Sequence, residues 1–91
     1  MQVRFYATLR AIVGAKTIDV PLGDGSTVRD LAEVLVELYP GLREHVFDAD
    51  GHIARTVHFM IDGRNARWLD GEATRLEPEQ SIDVFPPVAG G

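Results

Sequence analysis

The chain ends in two glycines, Gly90 and Gly91, which follow a Pro-Pro pair and a short alternating segment. Proline has no backbone N–H and favours polyproline II geometry, so we expect the chain to leave any sheet at Pro86. A tail over residues 86–91 would then reach roughly 20 Å, at about 3.1–3.3 Å per residue. Because Gly90 lacks a Cβ, the backbone can pass through a narrow channel and present the Gly91 carboxylate to another protein's active site. The sequence therefore predicts a domain over residues 1–85 and a flexible tail whose terminal carboxylate is the reactive group.

The side chains offer no competing catalytic centre. The chain has no cysteine, which excludes catalytic thiols, thiolate metal sites and disulfides. His45, His52 and His58 lack the i, i+4 spacing of metal-ligand pairs, so we expect no bound metal. The segment Asp48-Ala-Asp-Gly resembles the start of a calcium loop, but Phe59 stands where the bidentate glutamate would be. With no acid–base pair, nucleophile or phosphate-binding loop, we expect neither autonomous catalysis nor a bound cofactor.

Composition narrows the class of protein. Ninety-one residues suffice for one domain. A net charge of −5 with scattered basic residues argues against nucleic acid as a partner. No apolar run approaches the length of a membrane span, and the N-terminus begins directly with an alternating pattern instead of a signal peptide. We therefore expect a cytoplasmic protein without membrane contact.

Apolar periodicity predicts the elements that carry the tail. Alternation predicts strands over residues 2–9, 16–22, 58–61, 66–69 and 81–85, with a helical or turn segment ending at Gly14. Asp62-Gly63 is a two-residue hairpin signal. Residues 42–47 are expected to add one helical turn before a loop at Asp48.

One main helix is expected to begin at Val28. Thr27 and Asp30 have the spacing of a capping box, and Pro40 disfavours helical geometry at the residue before it. The apolar stripe of this helix is predicted to be Val28, Leu31, Leu35 and Leu38.

These elements predict an α+β fold of the β-grasp, or ubiquitin-like, type: a mixed sheet of four to five strands with one main helix across it. The first and last strands would pair in parallel at its centre. Tyr6 and Phe85 should then project from the face opposite the helix, where an aromatic pair beside the tail can dock a partner. Ordinary surface packing is the alternative for this pair. Arg10 and Arg64 could steer an acidic partner, although exposed arginines often have no specific role.

Three segments together resemble the sulfur-carrier family that includes the small subunit of molybdopterin synthase (MoaD) and the thiamine sulfur carrier (ThiS). They are Phe5-Tyr-Ala-Thr-Leu-Arg10, Thr27-Val-Arg-Asp-Leu31 and Phe85-Pro-Pro-Val-Ala-Gly-Gly91. The resemblance spans essentially the whole chain, and the tail is its most specific part.

This resemblance implies a defined set of partners. An ATP-dependent activating enzyme would adenylate the terminal carboxylate, and a sulfur donor would convert it to a thiocarboxylate. An acceptor such as the molybdopterin synthase large subunit would then use the sulfur. Carried onto this chain, Gly91 bears the adenylate and then the thiocarboxylate. The residues that thread it are Gly90, Ala89, Val88, Pro87 and Pro86.

Two departures leave the pathway open. Residues 42–56 form a longer segment than in the most compact carriers, and Glu77-Pro-Glu-Gln replaces a common turn before the last strand. Similar features occur in carriers for cysteine synthesis and in archaeal small modifiers. The alternatives are therefore a carrier for cysteine, thiamine or another metabolite, and a ubiquitin-like modifier of lysines. A non-catalytic binding module that uses only its sheet face is a further alternative from a different class.

Overall fold

The computed structural model describes residues 1–23 and 25–87. The strands are β1 (Gln2–Phe5), β2 (Thr17–Asp19), β3 (His58–Ile61), β4 (Arg64–Asn65) and β5 (Ile82–Phe85). The helices are α1 (Ala7–Val13), α2 (Val28–Leu38) and α3 (Arg43–Val46), with 3-10 turns at Pro40–Leu42, Ala66–Trp68 and Gly71–Ala73. No helix in the described part of the chain is long and apolar enough to cross a membrane.

The five strands form one mixed sheet in the order β2-β1-β5-β3-β4. β1 and β5 pair in parallel at the centre, and the other neighbours are antiparallel. Alternate residues of each of the three central strands face α2 and are buried: Val3, Phe5, Ile82, Val84, Phe59 and Ile61. The α+β β-grasp prediction is therefore confirmed, including the parallel pairing of the first and last strands.

The main helix begins as predicted. The Thr27 hydroxyl accepts a hydrogen bond from the Asp30 N–H, and the Asp30 carboxylate accepts one from the Thr27 N–H at 2.9 Å, which completes the capping box. Leu31 and Leu35 are fully buried. Leu38, however, is 50% exposed, so its prediction as a core residue is wrong.

The apolar arc of α2 explains this correction. At 100° per residue, the buried positions centre between Leu35 and Ala32, and Leu38 falls at the edge of the arc in the last turn. Ala32 and Val36 complete the buried face instead.

The first strand is shorter than predicted because the chain turns at Tyr6. Tyr6 is extended and precedes α1, and Ala7 adopts a positive φ of 51°. The predicted strand over residues 2–9 thus ends at Phe5, and the helical segment before Gly14 begins at Ala7. Gly14 ends α1 with a φ of 80°, a left-handed geometry that glycine adopts without strain.

The second strand is also shorter than the predicted range, with Thr17–Asp19 in the ladder. Ile18 lies opposite Val3 and packs partly buried against the core. Proline at position 21 cannot donate to a ladder, which agrees with an edge strand that ends early.

The hairpin turn at Asp62-Gly63 is confirmed, since Ile61 lies opposite Arg64 and both turn residues have positive φ, 49° and 83°. The strand predicted over residues 66–69 is wrong. Ala66–Trp68 is a 3-10 turn, because the Asn65 side chain accepts a hydrogen bond from the Arg67 N–H and so caps it. The fourth strand is Arg64–Asn65.

Candidate functional site

Tyr6 and Phe85 form a stacked aromatic pair on the sheet face opposite α2. Their ring centroids are 4.2 Å apart and the ring planes meet at 26°. The parallel register pairs Phe5 with Val84, so Tyr6, which directly follows β1, lies beside Phe85, the last residue of β5. Both side chains are half-buried and outside the core, as the alternation of each strand predicts.

Asp83 connects this pair to the centre of the sheet. Its carboxylate accepts hydrogen bonds from the Tyr6 hydroxyl at 3.0 Å and from Arg4 at 2.7 and 3.2 Å. The hydrogen bond to Asp83 raises the pKa of the Tyr6 phenol above its ordinary value of 10.0, and the same carboxylate raises the pKa of Arg4. Tyr6 is therefore a neutral donor at physiological pH, and its ring is held in one orientation.

Arg10 lies against the same aromatic pair. Its Nε donates to the Phe5 carbonyl at 3.1 Å, and its guanidinium carbon is 5.7 Å from the centroid of the Tyr6 ring. This distance is within the range of a cation–π contact. The structure thus brings together the three residues that the sequence proposes for docking: Tyr6, Phe85 and Arg10.

The aromatic pair borders a shallow apolar groove of about 610 Å³. It is lined by Tyr6, Ala7, Thr8, His58, Met60, Phe85, Pro86 and Pro87. Sequence reasoning missed His58 and Met60 as members of this surface. Their signal was the alternation of β3, because the buried Phe59 and Ile61 turn the intervening residues to the opposite face.

The tail leaves from this groove. β5 ends at Phe85, Pro86 is buried against the domain and Pro87 is exposed. The predicted threading residues Val88, Ala89 and Gly90 and the predicted reactive residue Gly91 lie outside the described residues. What the structure establishes is that the chain enters this segment directly from the central strand, beside the aromatic pair.

The histidines have separate surroundings. His58 contacts the Asn65 amide at 3.1 Å, His52 contacts Glu72 at 3.2 Å, and His45 lies 3.8 Å from Glu44. Within residues 1–23 and 25–87, no group of three His, Asp or Glu side chains is placed to hold a metal ion.

Glu72 holds the longer segment that precedes β3, residues 42–56, through several hydrogen bonds. Its carboxylate accepts hydrogen bonds from Arg29 at 2.9 Å, from the Ile53 N–H at 3.1 Å and from His52. Burial raises the pKa of Glu72, but these hydrogen bonds outweigh it and bring the pKa below the ordinary 4.5. Arg29 also stacks 4.8 Å from the Phe47 ring centroid. The cluster thus connects this segment to α2.

The sheet order, the helix across one face and the groove on the other define a ubiquitin-like β-grasp protein. The chain belongs to the ThiS family, whose model matches residues 3–91. It is 40% identical to small archaeal modifier protein 3 of Haloferax volcanii, over 100% of this chain and 98% of that relative. It is 29% identical to the sulfur carrier protein CysO of Mycobacterium tuberculosis, over 74% of each chain.

Solved structures agree with this assignment. The crystal structure of SAMP1 from Haloferax volcanii superposes with a TM-score of 0.87 at 27% identity, over 100% of this chain and 98% of that one. A Pyrococcus furiosus structure, provisionally assigned as molybdopterin converting factor subunit 1, gives 0.77 at 27% identity over 96% and 95%. The chain therefore belongs to a family whose members include proteins named as sulfur carriers and as small archaeal modifiers.

Proposed function

We propose that this chain is a sulfur carrier whose Gly91 carboxylate is adenylated and converted to a thiocarboxylate. The observation that carries the proposal is the family match, which continues through Gly91 on a chain whose central strand leads directly into that segment. The names of two relatives support the proposal: CysO is named a sulfur carrier protein, and the Haloferax volcanii relative is named a small archaeal modifier protein.

The chemistry needs only the terminal carboxylate from this chain. One carboxylate oxygen attacks the α-phosphorus of ATP on the activating enzyme, and pyrophosphate leaves. A donor of hydrosulfide then attacks the acyl carbon, the bond from this carbon to the phosphate oxygen breaks, and AMP leaves. The product is a thiocarboxylate on Gly91, whose sulfur is a more polarisable nucleophile than an oxygen of the original carboxylate. The chain has no cysteine, so no internal thiol can intercept the activated acyl group.

The groove supplies the docking surface for this reaction. The activating enzyme must hold the domain while the tail enters its active site, and the stacked Tyr6 and Phe85 rings lie where the tail departs. Aromatic and arginine side chains are enriched in binding hot spots. We therefore assign Tyr6, Phe85 and Arg10 to partner docking, with the ATP bound by the partner.

The acceptor distinguishes two candidate functions. As a carrier, the chain would deliver sulfur to an enzyme such as the large subunit of molybdopterin synthase or to cysteine or thiamine synthesis. As a modifier, its activated Gly91 would be joined to lysines of other proteins. The relative that is 40% identical is named a modifier, which specifically favours this second candidate.

Intact mass of the protein isolated from its native host tests the carrier proposal. A population heavier by the difference between one sulfur and one oxygen atom, located on Gly91 by fragmentation, is the expected result. Lysine peptides that carry the tail by an isopeptide bond would establish the modifier. If Gly91 is neither thiolated nor conjugated under sulfur-replete growth, the proposal is wrong and the binding-module alternative takes its place.

ATP–pyrophosphate exchange with the host's activating enzyme tests the reactive end directly. Deleting Gly91 should abolish exchange while thermal unfolding stays unchanged, because terminal residues usually contribute little to stability. Gly90→Val should act similarly, since a β-branched side chain fills the channel and restricts the backbone. A deletion variant that exchanges at the wild-type rate would show that Gly91 is not the reactive end.

A further inference from the structure

Among residues 1–23 and 25–87, the most exposed large apolar side chain belongs to the 3-10 turn after β4. Trp68, the chain's only tryptophan, is 77% exposed, and its neighbour Leu69 is 39% exposed. The 3-10 geometry causes this exposure. Successive residues turn by about 120°, so the turn that buries Ala66 directs Trp68 away from the core. Nothing in the described part of the fold uses this indole.

Three arginines surround the turn that carries Trp68. Arg64 lies on β4, Arg67 lies inside the turn, and the Arg67 guanidinium donates to the Arg55 carbonyl, which brings Arg55 to the same edge. All three are exposed, and none forms a salt bridge with a carboxylate among residues 1–23 and 25–87. This positive surface stands out because the chain as a whole carries a net charge of −5.

Two nearby carboxylates reduce this positive charge. Asp62 accepts a hydrogen bond from the uncharged Ser81 N–H at 2.8 Å and keeps its negative charge, and Asp70 is exposed beside the turn. Glu72 pairs instead with Arg29 and contacts His52. The surface therefore keeps an excess of positive charge.

A small cavity adjoins these residues. It measures about 230 Å³, and its charged lining residues are Arg55, Arg67 and Glu72, the last of which is paired with Arg29. Its apolar lining comes from Val28, Ile53, Val57, Phe59 and Ala66. A space of this size can take one large apolar side chain, whereas drug-sized ligands usually occupy at least about 300 Å³.

We propose that Arg55, Arg64, Arg67, Trp68 and Leu69 form a second docking surface, which binds an acidic protein segment carrying an apolar residue. The partner's carboxylates pair with the arginines, its apolar side chain enters the cavity, and the indole packs over the segment. Exposed tryptophan and arginine are the residue types most enriched in hot spots. None of these five residues lines the groove beside Tyr6 and Phe85, and the surface does not depend on chemistry at Gly91.

The charge of the patch and of the whole chain favours an acidic protein segment over a nucleic acid or a second copy of the chain. A nucleic acid would meet an acidic protein with only a small positive patch, which is unfavourable for a phosphate backbone. A second copy of the chain would bring together two molecules of net charge −5. An acidic segment of limited length matches the size of the patch and meets its sign.

The single tryptophan makes the surface directly observable. Replacing it biosynthetically with 5-fluorotryptophan places one ¹⁹F nucleus at position 68. The probe is a synthetic twelve-residue peptide of alternating Glu and Leu with a terminal fluorescein. ¹⁹F NMR reports contact at Trp68, and anisotropy gives the affinity. A Lys-Leu peptide, a single-stranded DNA of similar length and a dilution series test the other occupants.

We expect the Glu-Leu peptide to shift the ¹⁹F signal and to bind at least about tenfold more weakly to Arg64→Glu/Arg67→Glu and to Trp68→Ala, as for hot-spot residues. Binding should also weaken with salt. The matched control, Lys16→Glu/Arg43→Glu, makes the same change in net charge at exposed sites elsewhere and should lose no more than about threefold, since distant charges are screened.

Absence of binding by the Glu-Leu peptide, or equal losses in the two double variants, would overturn the proposal. The proposal would also be wrong if the Lys-Leu peptide or the DNA bound as tightly as the Glu-Leu peptide or more tightly. A ¹⁹F signal that moves on dilution alone would indicate self-association and would overturn the proposal as well. A variant lacking residues 88–91 should titrate like the intact chain. This result separates the second surface from the proposed function of the tail.

Discussion

Leu31 and Leu38 lie on the same helix, and truncating each to alanine tests which face of α2 packs against the sheet. Leu31 is fully buried within the main core, whereas Leu38 is 50% exposed. For a fully buried leucine this truncation costs about 2.7–5.0 kcal/mol, because apolar transfer energy is lost and a cavity remains. A half-exposed leucine forfeits about 1 kcal/mol or less of burial energy, and alanine's higher helix propensity offsets part of it.

Urea unfolding measures both losses. A chain of this length should have a stability on the order of 5–13 kcal/mol, so Leu31→Ala removes a large share of it. With a slope of about 1–3 kcal/mol per molar urea, a loss near 3 kcal/mol lowers the midpoint by about 1–3 M. Leu38→Ala should unfold close to wild type with the same slope. Equal losses in the two variants, or an unchanged midpoint for Leu31→Ala, would refute the packing of α2 described above.

Three further predictions follow from particular contacts. Phe85→Asp should weaken binding to the activating enzyme in a titration while circular dichroism stays native, because Phe85 lies outside the core; unchanged binding would remove it from the docking surface. Glu72→Gln should lower stability at pH 7, and the difference from wild type should shrink below the ordinary pKa of 4.5. The lowered pKa of Glu72 stabilises the fold above that value and ceases to do so as the carboxyl protonates. Thermal unfolding across pH measures this effect, with the exposed Glu37→Gln as a control that should show no such trend. Gly14→Ala should cost about 1 kcal/mol through its positive φ, whereas Gly23→Ala, equally open to a Cβ, should be near neutral.

Elements with a strong local signal were predicted correctly from the sequence. The alternation of β3 and β5 agrees with the burial that the sheet imposes, and the capping residues Thr27 and Asp30 place the start of α2. The errors arose where local chemistry overrides alternation. The chain bends at Tyr6 and Ala7 although the pattern continues, so the first strand was predicted too long.

The strand predicted after β4, over residues 66–69, is wrong for a related reason. Ala66 and Trp68 alternate with polar neighbours, as in a strand, but the cap from Asn65 closes a 3-10 turn. Asparagine before a short segment is a sequence signal of such a turn. The prediction that Leu38 is a core residue is wrong because the last turn of α2 extends beyond the hydrophobic core.

The candidate site was predictable in part. The parity of β1 and β5 places Tyr6 and Phe85 on one face, but a single sequence does not show that Asp83 joins Arg4 to Tyr6. That contact depends on the register of strands far apart in the chain. Arg10 lies against Tyr6 only because α1 begins immediately after the bend.

The parallel pairing of β1 with β5 also has a consequence for biosynthesis. Arg4 and Asp83 are in contact although they are 79 residues apart, and closing a loop of that length costs about 4 kcal/mol of chain entropy before any contact compensates it. The centre of the sheet therefore forms late, after nearly all of the described chain has been translated. A product truncated before Ile82 lacks the central strand and cannot complete the domain. Prematurely terminated chains would thus remain unfolded and would not compete with complete chains for the activating enzyme.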